Sequence, residues 1–345
     1  MDSSPAEPHR PAARPNLAFA FLPERTRHVF SPAHLARLGE MCRVLDERPL
    51  ERFDDARARS VLAQTEILVT GWGCANIDLS VLVGAPRLRL IAHAAGTVKT
   101  FIAPEVLQSD VKVTHAAAAN ALPVAEFTLA AILFSNKRVL EFRRLYAEGR
   151  PGRIPLMDQP IGNLRKAVGI VGASRIGRRV IELLRPFDFD LLLYDPYVAR
   201  AEADVLGVTL TGLDELVATA DIVSLHAPSL TATRHMIDAR RLRLMRDGAT
   251  LINTARGRLV DHAALEAELV TGRINAVIDV TEPEILPRTS PLYDLPNVLL
   301  TPHIAGALGI ERERLGALIV VELERYVRGE PLQHAIEPRA LERIA

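Results

Sequence analysis

The chain has 345 residues, of which 48% are apolar and 24% charged, and its Lys plus Arg count equals its Asp plus Glu count. That length allows two domains with real cores, and a zero net charge gives no sign of a nucleic-acid or membrane partner. Two cysteines, Cys42 and Cys74, with no CxxC pair, exclude a disulfide-stapled scaffold and a cysteine-built metal site, so no metal is expected.

Residues 1–15 are rich in Pro, Ala, Ser and charge and lack an apolar run, which predicts a disordered tail rather than a signal peptide. Leu17 to Leu22 reads as a first strand, and Pro32 to Cys42 as a helix capped by Ser31. Strand-like segments follow at Ile67 to Thr70, Leu88 to Ala92 and Val111 to Thr114, a spacing that suits a small α/β domain. A helical pattern then runs from about Pro123 to Ala147, apolar early and charged late. Its apolar run Leu129 to Phe134 is too short to span a bilayer, so a cytoplasmic protein is the default. Pro151 to Asn163 reads as a loop.

Short apolar segments recur after that loop, at Ala167 to Val171, Leu191 to Tyr194, Ile222 to Leu225, Ala249 to Ile252, Ala276 to Val280 and Val298 to Leu300. Runs of this kind are buried on both faces of a parallel sheet, which predicts a doubly wound nucleotide domain. Basic pairs such as Arg178-Arg179 and Arg240-Arg241 fit helix surfaces. The last helix, from about Ile310 to Val327, is expected to return to the first domain. The expected division is 16–115 with 310–345 for the small domain and 116–309 for the nucleotide domain, with a cleft between them that closes on substrate.

The strongest local motif is Gly172-Ala173-Ser174-Arg175-Ile176-Gly177, directly after a strand and opening a helix. Gly172 makes the tight turn, Gly177 lets helix and strand pack, and the N–H groups at the helix start hold pyrophosphate. Ser174 stands where the middle glycine of a GxGxxG loop is expected. Asp195 ends the next strand, at the distance where a carboxylate takes the adenine ribose hydroxyls and repels the extra phosphate of NADP. The expected cofactor is therefore NAD. A methyltransferase also uses a glycine-rich loop and an acidic residue, and the downstream residues argue against it.

Arg256, Glu284 and His303 each follow a predicted strand of the second half, so a doubly wound sheet brings all three to its carboxyl edge. A 2-keto acid needs this set. Its carboxylate is gripped by a planar guanidinium, and its carbonyl oxygen takes a proton from histidine as hydride arrives at carbon. A carboxylate beside the ring orients it and favours its charged form.

In order, Leu88-Arg-Leu-Ile-Ala-His-Ala-Ala-Gly96, Val124-Ala-Glu126, the glycine loop, Ser224-Leu-His-Ala-Pro228 with Thr233, Asn253-Thr-Ala-Arg-Gly257, Asp279-Val-Thr-Glu-Pro-Glu284 and Thr301-Pro-His-Ile-Ala-Gly306 resemble the D-isomer-specific 2-hydroxyacid dehydrogenases, which include phosphoglycerate and glycerate/hydroxypyruvate dehydrogenases. The resemblance implies two Rossmann-like domains, a doubly wound NAD-binding domain and a smaller, discontinuous flavodoxin-like substrate domain. It implies that Arg256 binds substrate, His303 is the acid/base and Glu284 its partner, with Glu282 the weaker rival. It places the cofactor at Gly172, Ser174, Arg175, Ile176, Gly177, Asp195, His226, Pro228, Thr233, Thr254, Ala255, Asp279 and Gly306, with Asp279 at the nicotinamide end. Substrate-facing positions fall at Ala95, Gly96 and Thr97, with Trp72 of Gly71-Trp72-Gly73 a further candidate. Thr97-Val-Lys-Thr-Phe101 and Phe127 depart from the family pattern, which leaves the particular hydroxy acid open. A homodimer is implied, with the Pro123 to Ala147 stretch as its interface element. Two other readings remain: an NAD(H)-sensing corepressor-like protein on the same fold, and a formate-dehydrogenase-like enzyme, whose usual pair has Gln rather than Glu beside His.

Overall fold

The computed structural model describes residues 14–149, 159 and 161–337. The tail expected over 1–15 and the loop expected over 151–163 lie largely outside the described residues.

In chain order the first elements are β1 (Asn16–Ala20), α1 (Pro32–Met41), β2 (Arg43–Val44), α2 (Ala56–Leu62), β3 (Ile67–Thr70), α3 (Leu79–Gly84), β4 (Leu90–His93), α4 (Pro104–Leu107) and β5 (Lys112–His115). Two helices follow, α5 (Ala117–Asn136) and α6 (Val139–Gly149). The second series is β6 (Lys166–Val171), α7 (Arg175–Leu184), β7 (Phe189–Tyr194), α8 (Arg200–Leu206), β8 (Thr209–Leu210), α9 (Leu213–Thr219), β9 (Ile222–Leu225), α10 (Ala239–Leu244), β10 (Thr250–Asn253), α11 (His262–Val270), β11 (Asn275–Ile278) and β12 (Val298–Leu300). A 3-10 turn at Gly309–Arg312 leads into α12 (Glu313–Val327).

These elements form two compact units, unit 1 from residues 14–119 and 309–337 and unit 2 from 120–308. Unit 1 holds a five-stranded parallel sheet in the order β2-β1-β3-β4-β5. This is the flavodoxin-like order. Ser31 caps α1 by accepting from His34 N, and Pro32 occupies the first helical turn. The C-terminal helix α12 packs against α1 and β4 of the same unit. Its buried Glu322 accepts from Thr114 Oγ1 at 2.9 Å and from the Gln333 and His334 amides at 3.0 Å, so the chain's last described stretch is tied to β5.

Unit 2 holds a seven-stranded parallel sheet in the order β12-β11-β10-β9-β6-β7-β8. The chain starts at β6, runs outward to β8, then returns beside β6 to build β9 through β12. The strand order therefore reverses between β6 and β9, where a doubly wound sheet opens a crevice at its carboxyl edge. Two apolar layers cover the sheet, one around Leu216, Leu251 and Leu265, the other around Ile132, Ile170 and Ile181.

Two expectations are corrected. The single helix over 123–147 is two helices, because Arg138 takes a left-handed φ of 50° between α5 and α6. α5 also starts at Ala117 and carries Pro123 in its interior, so the proline does not mark its first turn. With 20 apolar-rich residues α5 is long enough by composition to cross a membrane, unlike the short run seen in the sequence. Its Ala125, Ala131 and Ile132 are instead built into the unit 2 core.

Candidate active site

The glycine loop leaves β6 at the reversal point. Gly172 has φ +100°, and a Cβ there would sit 2.7 Å from Ala227 N. A Cβ on Gly177 would strike the Gly172 carbonyl oxygen. Both positions require glycine, one for its backbone angle and one for space. Ser174 is the N-cap of α7, in extended conformation, and its hydroxyl accepts from Gly177 N at 3.3 Å. The serine that replaces the middle glycine thus starts the helix whose first-turn amides, at Arg175 and Ile176, have no helical partner of their own.

Asp195, at the end of β7, reaches back to the same loop. Its Oδ2 accepts from Ala173 N at 2.7 Å and its Oδ1 from Tyr197 N at 2.8 Å. A carboxylate oxygen has two acceptor positions, so both oxygens keep one for ribose hydroxyls. His226 lies beneath the loop, its Cβ 3.3 Å from where a Gly177 Cβ would be. Its Nε2 is 2.9 Å from Ser224 Oγ, and its Nδ1 is a buried atom with no partner among the described residues. Burial pushes its pKa down to about 3, so the ring is neutral. The loop's missing side chains, free helix amides and second-strand carboxylate fit a dinucleotide.

The remaining cofactor candidates brace loops around this crevice. Thr233 Oγ1 donates to Pro228 O at 2.6 Å and accepts from Leu230 N at 2.9 Å. Thr254 Oγ1 pairs with Thr128 Oγ1 of α5 at 2.9 Å, both buried. Ala255 N donates to Asn253 Oδ1 at 3.1 Å, and Asn253 Nδ2 donates to Arg256 O at 2.9 Å. Gly306 approaches Asn120, whose Oδ1 accepts from Ala307 N at 3.0 Å.

Arg256, Glu284 and His303 follow β10, β11 and β12, three neighbouring strands of one sheet. Arg256 is half-buried and donates from Nη1 to Ala255 O at 2.6 Å. Burial lowers its pKa, and the negative charge of Glu284 opposes that shift. Glu284 Oε1 lies 2.5 Å from His303 Nδ1. Glu282 faces other partners, Arg258 at 3.1 Å, Arg234 at 3.6 Å and His235 at 3.7 Å. The geometry therefore puts Glu284, rather than its rival, on the histidine ring.

His303 has a left-handed φ of 56°, which needs support. Asp279 supplies it. His303 N donates to Asp279 O at 3.0 Å. The Asp279 carboxylate, 2% exposed, accepts from Thr301 Oγ1 at 2.6 Å, Ile304 N at 2.8 Å and Ala305 N at 2.9 Å. The carboxylate that the resemblance places at the nicotinamide end thus holds the loop carrying His303.

In unit 1, Trp72 packs under the Arg312 guanidinium, 5.0 Å from ring centre, and its carbonyl accepts from Leu22 N at 3.1 Å. Ala95, Gly96 and Thr97 follow β4, and the buried His115 holds Gly96 O from Nδ1 at 2.8 Å, while its β4 neighbour His93, also buried, pairs with Thr70 Oγ1 at 2.9 Å. The sequence reading singled out neither ring, nor Asn120, Asn253 or Thr128. Asn253 lies within the quoted Asn-Thr-Ala-Arg-Gly run, so its spacing before Arg256 was a usable signal. The others act through partners far away in sequence.

A family model for the D-isomer specific 2-hydroxyacid dehydrogenase NAD-binding domain matches residues 129–305. A glyoxylate reductase of Thermofilum pendens is 36% identical over 263 residues, 74% of this chain and 76% of the relative. A D-3-phosphoglycerate dehydrogenase of Archaeoglobus fulgidus is 29% identical over 268 residues, 77% of this chain and 50% of the relative, so the chain spans about half the length of that enzyme. Among solved structures, the D-lactate dehydrogenase of Aquifex aeolicus complexed with NAD and lactic acid superposes with a TM-score of 0.67 at 28% identity, covering 91% of this chain and 96% of that one. Sequence and fold agree across most of the chain, and with residues 129–305 forming its NAD-binding domain the chain belongs to the D-isomer specific 2-hydroxyacid dehydrogenase family.

Proposed function

We propose that the chain is an NAD-dependent oxidoreductase that interconverts a small D-2-hydroxy acid and its 2-keto acid. The observation that carries this reading is the His303–Glu284 pair beside Arg256 at three adjacent strand ends. Arg256 binds the substrate carboxylate with its planar guanidinium and draws charge from the adjacent carbonyl. Bound NADH supplies the hydride to the 2-carbon. Glu284 holds His303 by Nδ1, which leaves Nε2 to donate a proton to the carbonyl oxygen and to take it back in the reverse direction. The half-buried Arg256 keeps its charge in a site with less water, where it stabilises the developing alkoxide more strongly.

Similarity to a glyoxylate reductase and to a D-lactate dehydrogenase supports a small substrate such as glyoxylate, hydroxypyruvate or pyruvate. Asp195 favours NAD over NADP, because its carboxylate would meet the additional phosphate. A homodimer is part of the same reading. α5 and α6 expose Phe134 and Tyr146, and Phe127, Leu140, Val277 and Leu299 line an apolar groove beside them. The seat of α5 in the unit 2 core supports a soluble enzyme.

An NADH-oxidation screen over 2-keto acids, run with Arg256→Ala alongside, tests the reading. Wild type should reduce at least one keto acid, and Arg256→Ala should lose both binding and turnover. Equal activity on simple ketones, unchanged in Arg256→Ala, would sink it. No turnover of any keto acid, with tight NADH binding and a stable protein partner, would favour a sensor instead.

A further inference from the structure

We propose that Thr281 is a positioning residue whose side-chain hydroxyl aims Glu284 at His303. This rests on the proposed function for the work the Glu284–His303 pair does, and on geometry within unit 2 for how the pair is held.

Glu284 gains little from packing. Its side chain is 58% exposed, and the next residue, Ile285, is 86% exposed. Among the described residues, its carboxylate makes one hydrogen bond, to His303 Nδ1. A Glu side chain has several torsions of its own, and holding it in one arrangement costs side-chain entropy. What the fold can fix in advance is the direction in which the Cα–Cβ bond leaves the backbone. That direction follows from the two peptide planes that meet at the Glu284 Cα, because each plane is rigid.

Thr281 touches both planes. It lies three residues beyond β11 and is buried. Its Oγ1 donates to Pro283 O at 2.7 Å and to Glu284 O at 3.0 Å. A hydroxyl carries one proton, so the two carbonyls share it. Pro283 O belongs to the plane before the Glu284 Cα, and Glu284 O to the plane after it. One buried hydroxyl therefore orients both planes, and with them the exit of the Glu284 side chain. Thr281 is itself anchored. A Cβ on Gly257 would overlap the Thr281 carbonyl, so the residue after Arg256 lies against the same backbone. Between the two, Glu282 turns to Arg258, Arg234 and His235, which leaves the His303 ring to Glu284.

The test compares wild type with Thr281→Val, which keeps the shape and loses the hydroxyl, and Thr281→Ser, which keeps the hydroxyl and loses the methyl. With NADH and glyoxylate, hydroxypyruvate or pyruvate, whichever wild type reduces, Thr281→Val should lower kcat about 10- to 100-fold, the scale of a reacting group displaced by up to an ångström. Keto-acid KM and NADH affinity should change far less, because Arg256 and the glycine loop are untouched. Thr281→Ser should recover most of the loss, which a role in packing alone would not give. A Val variant with wild-type kcat, or a loss that Ser does not recover, overturns the proposal. Proton NMR reads the pair without substrate. The imidazole proton between His303 Nδ1 and Glu284, assigned by its absence from His303→Ala, should be present in wild type and Ser and lost or shifted in Val. An unchanged signal in Val overturns the proposal. If Val does not fold, the hydroxyl proton of Thr281 in the unmutated protein decides: slow exchange with water is expected, and free exchange overturns the proposal. If no keto acid is reduced while Val alone loses the imidazole signal, the functional reading breaks and the positioning role of Thr281 stands.

Discussion

Two short loops carry the groups assigned to substrate, and they are held by opposite means. In unit 2 the 301–305 loop hangs from the Asp279 carboxylate, which collects one hydroxyl and two amide donors. In unit 1 the 95–98 loop rests on one imidazole, His115, whose Nδ1 donates to the Gly96 carbonyl at 2.8 Å. A carboxylate consumes the loop's donors, whereas an imidazole N–H consumes an acceptor and leaves the donors free. The first device suits a loop whose working part is a side chain, His303. The second leaves the amides of the 95–98 loop unclaimed by the ring that holds it.

Removing the carboxylate is the largest way to break this comparison. Asp279→Ala leaves Thr301 Oγ1, Ile304 N and Ala305 N without their acceptor, and the strained φ of His303 loses its support. Equilibrium denaturation should show a loss of about 3–5 kcal/mol, the sum of a few unpaired buried groups. Keto-acid turnover should fall with it. A variant within about 1 kcal/mol of wild type would show that the loop does not depend on Asp279.

Asp195→Ala probes the crevice shared by the glycine loop and its second-strand carboxylate. Losing ribose contacts and charge repulsion together should narrow the NAD-over-NADP ratio by about tenfold or more, read from cofactor dissociation constants. Wild type binding NADP more tightly than NAD would contradict the role given to Asp195.

A pH dependence shared by both units reads the buried histidines without any substitution. His93 in unit 1 and His226 in unit 2 are each neutral when folded, with pKa pushed down to about 3 chiefly by burial. An unfolded histidine titrates near 6.5, so below that pH the unfolded chain binds more protons than the folded one. Their full contribution to stability is present above about pH 6.5 and drains away as pH falls toward 3, by up to about 1.4 kcal/mol per pH unit for each ring. The denaturation midpoint should drop between pH 7 and pH 5. A flat midpoint over that range would mean that the rings are not held neutral.

Much of this architecture is legible in the sequence because one residue type answers one local demand. Gly172 and Gly177 are forced by backbone angle and space, and Ser31 with Pro32 announces α1. β3, β9 and β12 appear as short apolar runs with the observed limits. The edge strands β2 and β8 escape notice because two residues carry no alternation. The expected start near Pro123 falls late, because α5 has already run six residues from Ala117. At the site, Arg256, Glu284 and His303 are readable as residue types placed after strands. The choice of Glu284 over Glu282 becomes physical only when Arg258, Arg234 and His235 are seen on the other carboxylate. His93 and His115 were hidden for a similar reason. A histidine at a strand end says nothing about which partner its ring meets, the Thr70 hydroxyl for His93 and the Gly96 carbonyl for His115.

The central claim is that His303, held by Glu284, moves the proton while hydride reaches the 2-carbon. The measurement that tests it most directly is kcat/KM of His303→Ala on the best keto acid, beside its NADH dissociation constant. Loss of general acid catalysis should lower kcat/KM by about 100- to 10,000-fold with NADH affinity within about twofold of wild type. A variant that keeps wild-type kcat/KM, or that loses NADH binding in proportion to its activity, would contradict the assignment of His303 as the proton donor.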